Sequence, residues 1–216
     1  MNEMTNAQLM LTYARNFFKG SLKTDNKVFS MNYGLASPER KQKRLDDAKK
    51  ASAALRRSRL YNNIDALSLL CSAPLEEKAG NCNEYTCVSL QLGMAMEFPN
   101  IWLAVHDCHV FLVLANESEL KSELALKEFN QYRNDDLWVC DPWFNIHCRL
   151  DMYGPMAIVQ SSRWSIAGKE ICSDYFQEPA NQWYLRLFAG KIRFLRMTDS
   201  AGVATRDCND FLTVWD

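Results

Sequence analysis

An α+β fold is what this sequence predicts, on three observations. Up to about residue 75 the apolar residues recur at helical spacing. After Gly80-Asn81 a densely apolar segment, from about 82 to 97, is long enough for a buried helix. Beyond Pro99, short apolar runs at 101–105, 109–114 and 137–140 are separated by turn residues. The expected architecture is an N-terminal helical part over 1–75, serving substrate or partner binding, and a core over 76–216 in which a helix packs on an antiparallel sheet.

The elements follow in order. Thr5 caps a first helix that stops near Gly20. A polar stretch with Gly34 comes next, and Ser37-Pro38 opens a long helix running to about Tyr61. Leu45, Ala48, Ala51, Leu55 and Leu60 give it a thin apolar stripe. A short helix at 64–70 precedes Pro74. A further helix is expected around 120–129, and a strand or helix at 156–160. The apolar pairs at 183–188 and 191–197, around Ala189-Gly190, predict a hairpin or two strands, and 211–215 a last strand.

Composition narrows the function classes. The chain has 216 residues, 48% hydrophobic and 24% charged, which suits one substantial core. A net charge of −1 gives no global pull toward nucleic acid or an anionic membrane. No run approaches the roughly 18 apolar residues of a membrane helix. The start of the chain lacks a basic segment followed by an apolar one, so no cleaved signal peptide is expected. Eight scattered cysteines fit reduced thiols in a cytosol, whether the chain stays in the cytoplasm or is delivered to a host cytosol without a cleaved signal. The spacing of Asp107, Cys108, His109, Cys140, His147 and Cys148 contains no metal-binding pair pattern, and no Gly-rich loop marks a nucleotide site, so no cofactor is expected.

One cysteine stands apart. Cys82 follows Gly80-Asn81 where a helix begins, and the positive end of a helix dipole favours thiolate, the nucleophilic form. His109 opens the run Val110-Phe111-Leu112-Val113-Leu114, and Asp141 closes Leu137-Trp138-Val139-Cys140 before Pro142-Trp143. Neighbouring antiparallel strands bring a strand start and a strand end together, which would place His109 and Asp141 side by side. A thiol, a base and an orienting carboxylate in that relation are the parts of a Cys–His–Asp acyl-transfer site. The bland alternatives are a buried small Cys82, and Asp141 as a turn former before proline. His106, three residues from His109, faces the other side of an extended chain and is expected to be an exposed turn residue. His147 is a further rival that follows the aspartate.

Gly-Asn-Cys-Asn-Glu at a helix start, His-Val-Phe-Leu-Val-Leu, and Leu-Trp-Val-Cys-Asp-Pro-Trp-Phe together resemble the core blocks of the papain-like and transglutaminase-like thiol enzymes. The likeness covers about residues 79–145. It is nearest to bacterial virulence effectors of that superfamily, which act as cysteine proteases, glutamine deamidases or transglutaminases. The resemblance implies Cys82 as nucleophile, His109 as base and Asp141 as orienting acid, acting on a protein substrate. The oxyanion-hole Gln that papain-like enzymes carry before the cysteine is missing, since that region reads Leu75-Glu76-Glu77-Lys78. Asn81, Asn83 and the Cys82 amide are the replacements expected there, with Trp143 shielding the triad or lining the cleft. Arylamine acetyltransferases share the order of the triad, which keeps a small-molecule acyltransferase as an alternative. A catalytically inactive binding module is another. It would use the basic helix face from Arg40 to Arg59, either as a dock for an acidic partner or as a plain solvated surface.

Overall fold

A computed structural model describes residues 2–22, 24–30, 37–62, 66–116, 120–133, 136–172 and 176–213. Gly34 lies outside them. The chain is mixed, with helices packed on antiparallel sheets. Helices α1 (Glu3–Phe17), α2 (Pro38–Asn62) and α3 (Ala66–Ser72) fill most of the first third, with a short strand β1 (Lys27–Phe29) between the first two. Helix α4 (Cys82–Ala95) leads into β2 (Ile101–His106) and β3 (His109–Ala115). Then come β4 (Glu123–Ala125), β5 (Leu137–Asp141), β6 (Ile146–Arg149), α5 (Tyr153–Ile166), β7 (Lys169–Cys172), β8 (Gln177–Pro179), α6 (Ala180–Ala189), β9 (Lys191–Arg196) and α7 (Arg206–Thr213).

The main sheet runs β4-β9-β2-β3-β5-β6, and each neighbouring pair is antiparallel. Because side chains alternate along a strand, the two faces carry different sets. Leu112, Leu114 and Cys140 share a cluster with Met10 and Leu11 of α1 and Leu90 of α4. Phe111, Val113 and Val139 share the other with Tyr153 and Ala157 of α5 and Trp183 and Leu187 of α6. Both faces are covered, so every residue of β3 is buried, which is why its sequence is an unbroken apolar run. Two hydroxyls seat α4 in this core: Thr86 donates to the Val110 carbonyl (3.3 Å) and Ser89 to the Met10 carbonyl (3.1 Å). A smaller sheet, β1-β7-β8, ties the polar stretch after α1 to the second half of the chain.

Several local expectations change. Residues 183–188 are not a strand but the body of α6, where Ala180, Trp183, Tyr184 and Leu187 bury one face at i, i+3, i+4 and i+7. The end of the chain is helical over α7 rather than a strand, and residues 214–216 lie outside the described ones. The segment expected as a helix at 120–129 splits into β4 and a 3-10 turn over Leu126–Tyr132, because Leu124 is drawn into pairing with β9. The stretch 156–160 belongs to α5, and β1 was not foreseen. His106 is buried, not an exposed turn residue: it closes β2 opposite His109, against Gly190.

On the basic face of α2, Arg40, Lys43, Lys49 and Lys50 are exposed. Lys41 donates to the Ser30 carbonyl (3.0 Å) and Lys43 pairs with Asp47 (3.0 Å). The side chains of Arg56, Arg57, Arg59 and Leu60 lie outside the described residues. Among the described residues no helix is long and apolar enough to cross a membrane.

Candidate active site

The loop before α4 is shaped by Gly80. A Cβ at that position would meet Glu84 Cβ at 2.6 Å and the Phe18 ring at 2.9 Å, so no larger residue fits. Asn81 is the N-cap, and its N–H donates to Glu84 Oε2 (2.6 Å), so Glu84 caps the helix start. The buried Thr24 hydroxyl donates to Asn81 Oδ1 (2.7 Å), tying the cap to the segment before β1. Cys82 is the first residue of α4 and is half-buried, while the next two turns sink into the core. Asn83 is half-buried beside it.

His109 and Asp141 meet as antiparallel pairing requires. Leu112 lies opposite Cys140, so the start of β3 and the end of β5 share one end of the sheet. Two residues apart, His109 and Phe111 share a face, and that face is also Asp141's. His109 Nε2 lies 2.7 Å from Asp141 Oδ2, with both side chains fully buried. The carboxylate is well satisfied. Oδ1 accepts the Phe144 amide (2.9 Å), a turn bond across Pro142-Trp143, and Oδ2 also accepts the Tyr153 hydroxyl (2.7 Å). Asp141 therefore forms the turn and orients the imidazole at once. Asn145 closes that turn with φ 59°, a conformation asparagine tolerates.

Aromatic rings enclose the imidazole. Trp143, Trp183, Phe144 and Phe111 stand with centroids 5.2, 5.7, 5.8 and 5.9 Å from it. Trp143 is 1% exposed, so it forms a wall behind His109. Lys27 braces that wall, donating to the Trp143 carbonyl (3.3 Å) and standing 4.0 Å over the Trp164 ring. Burial by itself pushes the His109 pKa down; the adjoining Asp141 carboxylate, and then the Cys82 thiol, outweigh it and raise the pKa to about 10. Nε2 is taken by Asp141, and among the described residues Nδ1 has no nitrogen or oxygen partner. The remaining ring nitrogen is thus the one available to the Cys82 sulfur.

Burial pushes Cys108 and Cys148 up to about 12, and Cys140 up as well. Cys108 Sγ lies 3.2 Å from His106 Nδ1. Burial also lowers the His106 pKa. That second thiol–imidazole pair therefore favours its uncharged forms. His147 is engaged elsewhere, on the Met4 carbonyl (2.9 Å) and the Trp138 ring.

His109 and Asp141 are hydrogen-bonded, Cys82 lies near enough to raise the His109 pKa, Trp143 packs on the imidazole, and Asn81 and Asn83 flank Cys82 in the chain. Tyr153 was missed. Its one local mark, the Gly154-Pro155 that follows, says nothing about where its hydroxyl goes. A groove of about 520 Å³ between α2 and α3, floored by Leu55, Leu69 and Leu70, reaches Ala79 but none of the triad residues. Compared with protein-family models, curated proteins and solved structures, the chain matches none.

Proposed function

We propose that this chain is a cysteine-dependent acyl-transfer enzyme acting on a protein, of the papain-like and transglutaminase-like kind, with Cys82, His109 and Asp141 as its triad. The observation that carries the reading is the buried 2.7 Å His109–Asp141 pair whose free nitrogen is left to a half-buried thiol at a helix N-terminus.

His109 Nδ1 takes the thiol proton before Cys82 Sγ attacks a side-chain or backbone carboxamide carbon, since the raised imidazole pKa keeps the proton on the ring. The S–C bond forms and the carbonyl becomes an oxyanion. The amides of Cys82 and Asn83, among the first N–H groups of α4, have no intrahelical acceptor and serve as its donors. Asn81 adds its side-chain N–H groups, since Thr24 engages its oxygen. His109 returns the proton to the departing nitrogen, the C–N bond breaks, and a thioester remains on Cys82. Water resolves it with His109 as base, giving deamidation of glutamine or peptide cleavage; an amine resolves it by transamidation. Asp141 holds the ring through Nε2 throughout.

The test is alkylation followed by product analysis. With iodoacetamide at neutral pH, one thiol should react fast in the wild type, and that reaction should vanish in Cys82→Ala. Eight uniformly slow thiols would sink the reading. Incubated with casein and a biotinylated alkylamine, wild type and Cys82→Ala should then differ by mass spectrometry. A gain of about one mass unit marks deamidation, biotin incorporation marks transamidation, and fragments mark cleavage.

A further inference from the structure

Asp141 Oδ2 is shared by two donors. His109 Nε2 and the Tyr153 hydroxyl each approach it at 2.7 Å, while the Phe144 amide holds Oδ1. Tyr153 is the first residue of α5, fully buried, with its ring stacked on Phe111 at 4.4 Å between centroids. A phenylalanine would fill that space equally well. A hydroxyl in a dry aromatic site is costly without a partner, and the partner here is the carboxylate that orients the base.

We propose that Tyr153 is a positioning residue that acts on His109 through Asp141, fixing Oδ2 against the imidazole and taking a share of its charge. Two donors on one oxygen compete, each weakening the acceptor left to the other. With Tyr153 in place, His109 is held less tightly protonated than the carboxylate alone would hold it. That matters for a group that must give its proton to a leaving nitrogen, because general acid catalysis weakens as the acid's pKa climbs above the working pH. The hydroxyl stays a donor throughout: burial, with the Asp141 charge adding, raises its own pKa well above 10.

The groups facing His109 are Asp141 from β5, Cys82 from α4 and His106 from β2. Those facing Tyr153 are Asp141, Cys148 from β6 and Cys108. All remain in Tyr153→Phe, so a change in the imidazole reports the hydroxyl. The role in turnover rests on the acyl-transfer reading. The effect on the imidazole does not, and is read without substrate.

The experiment is NMR of the full chain with isotope-labelled histidine, which gives three ring systems to follow. In Tyr153→Phe the His109 titration should rise by about half a unit to one unit, and its Nε2–H resonance should move downfield at neutral pH. A fluorinated tyrosine at position 153, a stronger donor on the same ring, should move both the other way, and it serves where the phenylalanine variant fails to fold. A His109 signal unmoved by both changes, or moved the same way by both, overturns the proposal. These shifts together with a slow Cys82 would overturn the acyl-transfer reading alone and leave the Tyr153 linkage standing.

Discussion

Gly190 lies directly against the imidazole of His106, leaving no room for a Cβ beside Nε2. The contact joins the end of α6 to the end of β2, and His106 stands opposite His109 in the sheet. A side chain at 190 must displace either the ring or the start of β9. Gly190→Ala should therefore cost about 1–3 kcal/mol of stability, as overpacking of a filled site does. The measurement is urea unfolding against wild type. An unchanged midpoint would mean that the α6–β9 junction gives way freely.

The triad makes a kinetic statement about one thiol among eight. His109→Ala should slow Cys82 alkylation at neutral pH by about 10²- to 10⁴-fold, the usual range for loss of a positioned base. Cys108, Cys140 and Cys148, whose thiols burial pushes up, should stay slow in both proteins. Peptide mapping of the labelled cysteines reads this directly, and a Cys82 rate indifferent to His109 would remove the base from the scheme.

Asp141 carries structure as well as chemistry. Asp141→Ala leaves His109 Nε2, the Tyr153 hydroxyl and the Phe144 amide buried without their acceptor. Breaking a buried pair in this way should cost about 3–5 kcal/mol. Asp141→Asn keeps an acceptor for Phe144 and should cost less. Equal stability for the two substitutions would show that the lost acceptor is not the cause.

The same pair sets a pH dependence. Burial opposes the His109 charge, and Asp141 with Cys82 overcomes it, raising the pKa from 6.5 to about 10. The folded chain then holds this proton more tightly than the unfolded chain. The stabilisation is fully present below about pH 6.5 and is lost as pH rises through about 10. Urea midpoints should fall across that window in the wild type and fall less in Asp141→Asn. A wild-type midpoint that climbs over the same range contradicts the sign.

What the sequence revealed was local. Ser37-Pro38 marks the start of α2, Gly80-Asn81-Cys82 the start of α4, and the apolar runs after His109 and before Asp141 mark β3 and β5. Each signal is a cap, a breaker or a period that a short window contains. The antiparallel pairing that unites His109 with Asp141 follows from their places at a strand start and a strand end. Long-range relations were hidden. Nothing near residue 192 announces pairing with both β2 and β4, and nothing near Tyr153 announces a carboxylate twelve residues back. The misreading of α6 has a different cause. Its aromatic density resembles a strand, while its burial follows a helical stripe.

The strand order β4-β9-β2 has a consequence for the chain during synthesis. Residues 101–149 can pair β2, β3, β5 and β6 as soon as they leave the ribosome, because those partners are close in sequence. Until residues 191–196 follow, however, β2 presents a bare edge of unpaired N–H and C=O groups to whatever strand is nearby. A chain stalled or truncated before β9 would carry the triad's strands already paired beside a template for intermolecular pairing. The last quarter of the sequence, which supplies no triad residue, thus determines whether the strands that carry His109 and Asp141 end in the complete sheet or in an aggregate.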